Sequence, residues 1–375
     1  MRIGIDARMA GIHGGHGRYL RHLITNLATL TPPPDAPETV YTLFVLETDR
    51  ALFTHLPSKK FTLVTADIPW YTLREQTEFP KIIEAAGVDL MHFPHWNIPL
   101  RYRGPFVTTI HDLTLRRFPG RDTSTRGYLL YCFKKIGYRL ALRHAIYRSQ
   151  HIITPSKFVA EEIRHWYPSA KTPITVITEG APHVEPATTQ KSTSPYLLYV
   201  GVAYPHKNLL RLVRAFMRYK DSRPEDKTRL ILVGERNRFY LQLEEKIASQ
   251  FPRALGHTIE IRGAVSDRQL RDLYCGARGV AYVSLSEGFG LPPLEALAYG
   301  VPVLASNTSC LPEILGDAAV YTDPTSIDAI ASGITTLLTD EETRKRTLAA
   351  APTTLAKYSW QRMAHDTANM VYWAG

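Results

Sequence analysis

Short apolar runs that end in polar or glycine-rich turns, each followed by apolar residues at helical spacing, recur along almost the whole chain. "RIGIDA" leads into the glycine-rich "GIHGGHG" and then "RYLRHLITNLATL", which the "TPPP" at 31–34 ends. "YTLFVL", "FTLVTA", "VDLMHFP", "FVTTIHD" and "HIITPS" read as further strands. Such alternation points to parallel strands joined by crossover helices, an α/β doubly wound sheet. The pattern breaks at 181–195, where "APHVEPATTQKSTSP" is rich in Pro, Ser and Thr and reads as a linker. It then restarts with "YLLYVG", "RLILVG", "TIEIRG", "GVAYVS", "VPVLAS" and "AAVYTD" as strands, most separated by helical stretches. At 375 residues the chain exceeds one ordinary core. Two similar α/β domains with a cleft between them are therefore expected. In such sheets the residues just after strand ends face the ligand crevice.

Composition removes other classes. The apolar fraction of 44% suits a globular protein. No apolar run approaches the ~20 residues of a membrane span, and "MRIGIDARM" carries charge where a signal peptide needs an apolar core. A cytoplasmic protein is expected. Cys132, Cys275 and Cys310 are too scattered for a metal site and read as buried or free thiols. The net charge of +10 suits an anionic ligand or an anionic membrane face. Nucleic acid is not expected, because zinc-finger spacing, a ribonucleoprotein aromatic motif and an isolated basic tail are all missing from the sequence. The densest basic stretch, 116–148, interleaves its cations with Tyr128, Tyr131, Phe133, Tyr138 and Tyr147. It reads either as solvated helices with aromatics facing the core or as a peripheral contact with anionic headgroups.

The most informative segment is "SEGFGLPPLEALAYG" at 286–300. It follows the strand "GVAYVS"; Pro292 and Pro293 suit a first helical turn, and Gly300 suits the stop. A helix N-terminus behind a strand end favours an anion such as a phosphate. Carboxylates there would repel a phosphate, so Glu287 and Glu295 are better matched to the hydroxyls of an attached sugar; the bland alternative is local capping and pairing. Lys207 lies in "AYPHKN", a turn after the strand "YLLYVG", where its charge can neutralise a leaving diphosphate. His111 and Asp112 follow "FVTTI" and can serve a sugar or an acceptor, or be structural. Gly14, Gly15 and Gly17 can let backbone approach phosphates, although a tight turn needs the same glycines.

Glu, seven intervening residues and Glu, continued by "GFGLPPLEALAYGVPVLAS", resembles the double-glutamate motif of retaining GT-B glycosyltransferases of family four. "GIHGGHGRYLRHLI", "TIHDL", "ITPSKF", "YVGVAYPHKNL", "RGAVSDRQLRDLY" and "CLPEILGDAAV" resemble further family segments, and "YSWQRMAHDTANMVYWAG" resembles the final helix that crosses back to the first domain. The resemblance covers nearly the whole chain. It implies the GT-B fold, two Rossmann-like domains facing each other across a cleft. The acceptor-binding domain would span 1–185 with 358–375 packed back on it, and the nucleotide-sugar domain 193–357. It implies that Glu287 contacts donor-sugar hydroxyls, that the amides of Gly288, Phe289, Gly290 and Leu291 line sugar and phosphates, and that Glu295 grips the ribose. Lys207 would meet the diphosphate, His111 the sugar or acceptor, and Val265 and Asp267 the base. His206 stands where family members often carry Arg, which leaves Lys207 as the main cation or lets His206 act as a pH-sensitive one. No Asp-x-Asp pair stands at a strand end, so transfer without a metal or other cofactor is expected, through a front-face step. "GIDARMAGIHGGHGRYLRHL" and "IPWYTLREQTEFP" look most like bacterial O-antigen or exopolysaccharide mannosyltransferases. GDP-mannose is the favoured donor and a lipid-linked or saccharide hydroxyl the acceptor, with peripheral attachment to the inner face of the plasma membrane as a further expectation. A UDP-sugar donor, or a nucleotide-sugar epimerase on the same fold, is the alternative.

Overall fold

In the computed structural model, β1 (Arg2–Asp6) pairs in parallel with both β2 (Val40–Val45) and β4 (Leu90–Phe93). The structure describes residues 1–12, 14–118, 128–182 and 194–373. Most of the linker at 183–193, and 119–127 of the basic stretch, lie outside them. The first sheet runs β3-β2-β1-β4-β5-β6-β7, with β3 Phe61–Thr65, β5 Phe106–Thr109, β6 His151–Thr154 and β7 Ile174–Val176. The second runs β10-β9-β8-β11-β12-β13, with β8 Tyr196–Val200, β9 Arg229–Val233, β10 Ile259–Arg262, β11 Gly279–Tyr282, β12 Val303–Ser306 and β13 Ala319–Thr322. Every strand pair among the described residues is parallel.

The two sheets therefore share one design. Each grows one way from its first strand, then reverses, leaving a switch point between β1 and β4 in one sheet and between β8 and β11 in the other. The strands are apolar because helices cover both faces of a parallel sheet; β4, β5, β11 and β12 are buried throughout. The first core packs Phe44, Phe79, Met91, Phe93 and Phe106 together.

The chain divides into two units. Met1–Arg116, Arg126–Gly180 and Tyr358–Gly375 form one; Ala181–Lys357 carries the second sheet. The last segment belongs to the first unit through specific contacts. The Trp360 ring stacks on His22 with centroids 4.3 Å apart and planes 8° from parallel. A Cβ added at Gly180 would lie 2.3 Å from the Trp360 ring, so only glycine allows this approach. Tyr372 Oη lies 2.5 Å from His92 Nδ1, and His92 Nε2 lies 2.9 Å from Thr109 Oγ1. Thr109 also bonds Tyr19 at 3.1 Å, so a buried polar chain runs from the C-terminal segment through β4 and β5 to the first helix, Gly15–Thr29.

Burial, with His111 nearby adding to it, pushes His92 down to about 3. Burial, helped by Arg18 and Arg21, pushes His22 down to about 4. Both imidazoles are then neutral in the fold, whereas a free histidine titrates near 6.5. Below that pH the unfolded chain binds protons that the folded chain refuses. Stability should therefore decline from about pH 6.5 to about pH 4, by roughly 1.4 kcal/mol per pH unit per histidine. Urea midpoints at pH 7, 6 and 5 should fall in order, and His92→Gln should flatten the slope; midpoints that stay level would contradict the assignment.

Candidate donor site at the second switch point

After β8 the chain passes Gly201, makes a short turn at Pro205–Lys207, and reaches Asn208 at φ 65°. Asparagine tolerates this left-handed conformation better than most residues. Its side-chain amide donates to the Val283 carbonyl at 2.9 Å and the Pro324 carbonyl at 2.7 Å. The Leu285 amide donates to the His206 carbonyl at 2.7 Å. These bonds tie the loop after β8 to the loop after β11.

The tie brings Lys207 to Glu287. Lys207 Nζ donates to Oε1 at 2.7 Å and Oε2 at 2.8 Å of that carboxylate, and to Tyr282 Oη at 3.2 Å. Both side chains are largely withdrawn from water, at 15% and 9% exposure. Glu287 is further anchored by its amide, which donates to Ser309 Oγ at 3.3 Å.

The helix Leu291–Ala298 begins behind this pair, with prolines in its first turn and Gly290 as N-cap at φ 102°. A side chain at 290 would be strained by that φ and would meet Leu311. The Phe289 carbonyl accepts from Cys310 Sγ at 3.2 Å. Gly288 through Leu291 thus run from the Lys207–Glu287 ion pair to the helix start. Gly300, at φ 70°, follows the helix end. Glu295 is buried one turn into the helix and accepts from Tyr274 Oη at 2.7 Å. Tyr274 comes from the helix Asp267–Gly276 and stacks on Tyr299, with centroids 5.4 Å apart.

The other expected residues lie as follows. His206 stacks on Tyr204 at 5.8 Å. Val265 is half-buried in the loop after β10, and Asp267 is exposed in the first turn of its helix, beside the capping box of Ser266 and Gln269. In the first unit, Gly14 caps the helix Gly15–Thr29 at φ 129°, and a Cβ at Gly17 would strike the Ile12 carbonyl at 2.1 Å. Gly17 is therefore needed by the turn itself, whereas Gly15 faces open space.

His111 follows β5 and has a bond on each ring nitrogen: Nδ1 lies 3.0 Å from Glu179 Oε1 and Nε2 lies 3.1 Å from the Pro94 carbonyl. A carbonyl only accepts, so Nε2 carries a hydrogen; the Nδ1 contact places another on the ring or on Glu179. With both nitrogens engaged, His111 is a held side chain whose edge packs on Tyr19 and His16, 4.7 and 4.8 Å away.

Sequence reasoning missed Tyr282, Tyr274 and Glu179, each the partner of a residue it chose. Among the described residues, no group of three or more His, Cys, Asp or Glu is arranged to hold a metal ion.

Removing one member of the Lys207–Glu287 pair would leave the other buried and uncompensated. Lys207→Met and Glu287→Gln should each cost about 2–4 kcal/mol of stability. The double variant should cost less than their sum, by about 1–3 kcal/mol. Additive losses in urea denaturation would show that the two side chains do not pair in solution.

Comparison with known proteins accords with this geometry. Residues 184–354 match the family model for glycosyl transferases group 1, and residues 13–183 match that for Glycosyltransferase Family 4. The chain is 31% identical to O-antigen chain mannosyltransferase B of Escherichia coli over 301 residues, 75% of this chain and 73% of that one. It is 27% identical to O-antigen chain mannosyltransferase RfbU of Salmonella typhimurium over 255 residues, 68% and 66% of the two chains. Among solved structures, sucrose-phosphate synthase from Thermosynechococcus elongatus superposes with a TM-score of 0.74 at 18% identity, covering 99% of this chain and 98% of that one. That likeness shows the GT-B fold, two Rossmann-like α/β domains. The chain belongs to the family-four, group 1 glycosyltransferases.

Proposed function

We propose that this enzyme transfers mannose from GDP-mannose to a hydroxyl of a lipid-linked or saccharide acceptor in cell-surface polysaccharide synthesis, with retention of anomeric configuration. The observation that carries the reading is the Lys207–Glu287 pair at the second switch point. A nucleoside diphosphate sugar brings both things such a pair can exchange for. Its diphosphate draws the Lys207 ammonium, and its sugar hydroxyls donate to the Glu287 carboxylate that the ammonium leaves. Each charge trades one partner for another, so neither is stranded without compensation. In the transfer step the bond from the anomeric carbon to the diphosphate oxygen breaks while the acceptor oxygen bonds that carbon on the same face. The acceptor proton passes to the leaving diphosphate, whose growing charge Lys207 stabilises. The residues supply this charge balance without a cofactor. Mannose as the sugar is supported by the two O-antigen mannosyltransferases to which the chain is similar.

A panel of GDP-mannose, UDP-glucose and other nucleotide sugars tests the proposal. GDP-mannose should bind and be slowly hydrolysed without acceptor. Preference for a UDP-sugar would overturn the donor, and an altered nucleotide sugar as product would indicate epimerisation. Lys207→Ala should lower turnover by at least about a hundredfold in folded protein, within the range seen when a stabilising charge is removed.

We also propose a peripheral contact with anionic membrane. No helix among the described residues is long and apolar enough to cross a bilayer. On the helix Tyr128–Arg148, Ile136 and Leu140 stand one turn apart and half exposed, beside the exposed Arg139. The protein should float with phosphatidylglycerol vesicles at low salt; no co-migration there would remove the membrane from the proposal.

A further inference from the structure

The switch point of the first sheet carries a built feature that the donor chemistry does not use. Arg8, just after β1, is buried. It donates to Asp6 at 2.9 and 2.8 Å, to Glu75 Oε1 at 2.8 Å and to the Ile68 carbonyl at 3.0 Å, and its guanidinium lies 3.7 Å from the centre of the Phe79 ring. Burial opposes this charge, but Asp6 and Glu75 outweigh it and hold the guanidinium above its ordinary value. Glu75 is wholly buried and accepts from the Asn97 side chain at 2.9 Å on both oxygens.

The remaining bond of this cluster is unusual. Glu75 Oε2 accepts from the backbone amide of Tyr71 at 2.7 Å. Tyr71 has φ 64°, a left-handed conformation that a bulky side chain adopts only when its surroundings impose it. Tyr71 as a whole is 58% exposed. A buried ion cluster is thus holding an aromatic ring out to solvent on a strained backbone, the reverse of what core packing would ask. The ring lies 5.8 Å from Trp96, which is half-buried and wedged edge-on against Tyr138 at 4.7 Å.

Beside the two rings stands His95, 4.6 Å from Trp96 and 6.4 Å from Tyr71. Burial, with His16 and His111 nearby, holds His95 well below its ordinary value, so it is neutral. Its Nδ1 accepts from the Asn97 amide at 3.1 Å, which places the hydrogen on Nε2. The ring therefore presents an N–H donor on its other edge.

We infer that Tyr71 and Trp96 form a stacking platform for a neutral hexose ring of the acceptor, with His95 Nε2–H as a donor to one of its hydroxyls. Sugar rings present an apolar C–H face and a polar hydroxyl rim, which matches aromatic faces bordered by a neutral donor. A phosphate would call for a cation, and the Arg8 guanidinium is sealed beneath by Asp6 and Glu75. This inference rests on the reading of a saccharide acceptor. It adds by which residues that saccharide is held, and that the group held is a sugar ring rather than the lipid carrier.

The test uses α-linked mannotriose and the full chain without nucleotide sugar, so it is independent of the donor panel. Saturation-transfer NMR should show the trisaccharide bound by wild type and by Tyr71→Phe, which keeps the ring. Tyr71→Gly removes the ring and relieves the strained φ, so it should fold with an equal or higher melting temperature. It should bind the trisaccharide about five- to tenfold more weakly, the size expected for one aromatic contact. In the transfer assay the same variant should raise acceptor KM. Wild-type affinity in Tyr71→Gly would overturn the platform, as would absence of trisaccharide binding in wild type. Protection of Tyr71 by phosphatidylglycerol vesicles in place of the trisaccharide would also overturn it, since the exposed Leu73 next to it would then mark a lipid contact.

Discussion

A parallel sheet that grows in both directions from its first strand parts its crossovers at one point. Loops there have no neighbouring connection packed over them. Both sheets in this chain have such a point, and the chain places its buried ionic clusters there: Arg8 with Asp6 and Glu75 in the first sheet, Lys207 with Glu287 in the second. Buried charges are expensive unless each has a partner. The loops must therefore be held closely enough to keep partners in reach, and much of the irregular geometry follows from that demand. Asn208 accepts a left-handed backbone while its amide ties the loops after β8 and β11, and Gly290 turns the chain from Glu287 into a helix.

The architecture was legible because parallel strands are buried on both faces, so they appear as apolar runs that need no knowledge of their partners. The course of residues 286–300 was legible for a related reason. Glu287, the glycines, the two prolines and Gly300 are constrained by the backbone path from strand to helix, which is a local matter. What could not be read was pairing through space. Nothing near Lys207 in the chain signals that Glu287, eighty residues later, will take its charge, or that Tyr282 will lie under it. Glu179 was hidden for another reason: the strand before it, Ile174–Val176, has only three residues, too few to show a pattern.

The partners of His111 show what residue type leaves out: the sequence places a histidine after a strand end, and the fold bonds both of its nitrogens within the protein. His95 sits after the neighbouring strand and keeps a donor edge, but nothing in "HFPHWN" marks it, because its tautomer depends on the Asn97 amide folding back onto Nδ1. The Arg8–Glu75 cluster was equally silent. Its members are distant in sequence, and only the strained Tyr71 backbone reveals what they hold.

The seating of Trp360 against Gly180 has a consequence for how the chain is organised. Residue 180 is where the first unit is left and residue 358 is where it is re-entered, and the two places touch. In topological terms the second unit is an insertion into the first, leaving and returning through one doorway. A fragment ended at residue 180 would not be a free-standing first domain. It would lack the ring stacked on His22 and the hydroxyl bonded to His92, and so would open the interior of the unit that it was meant to isolate.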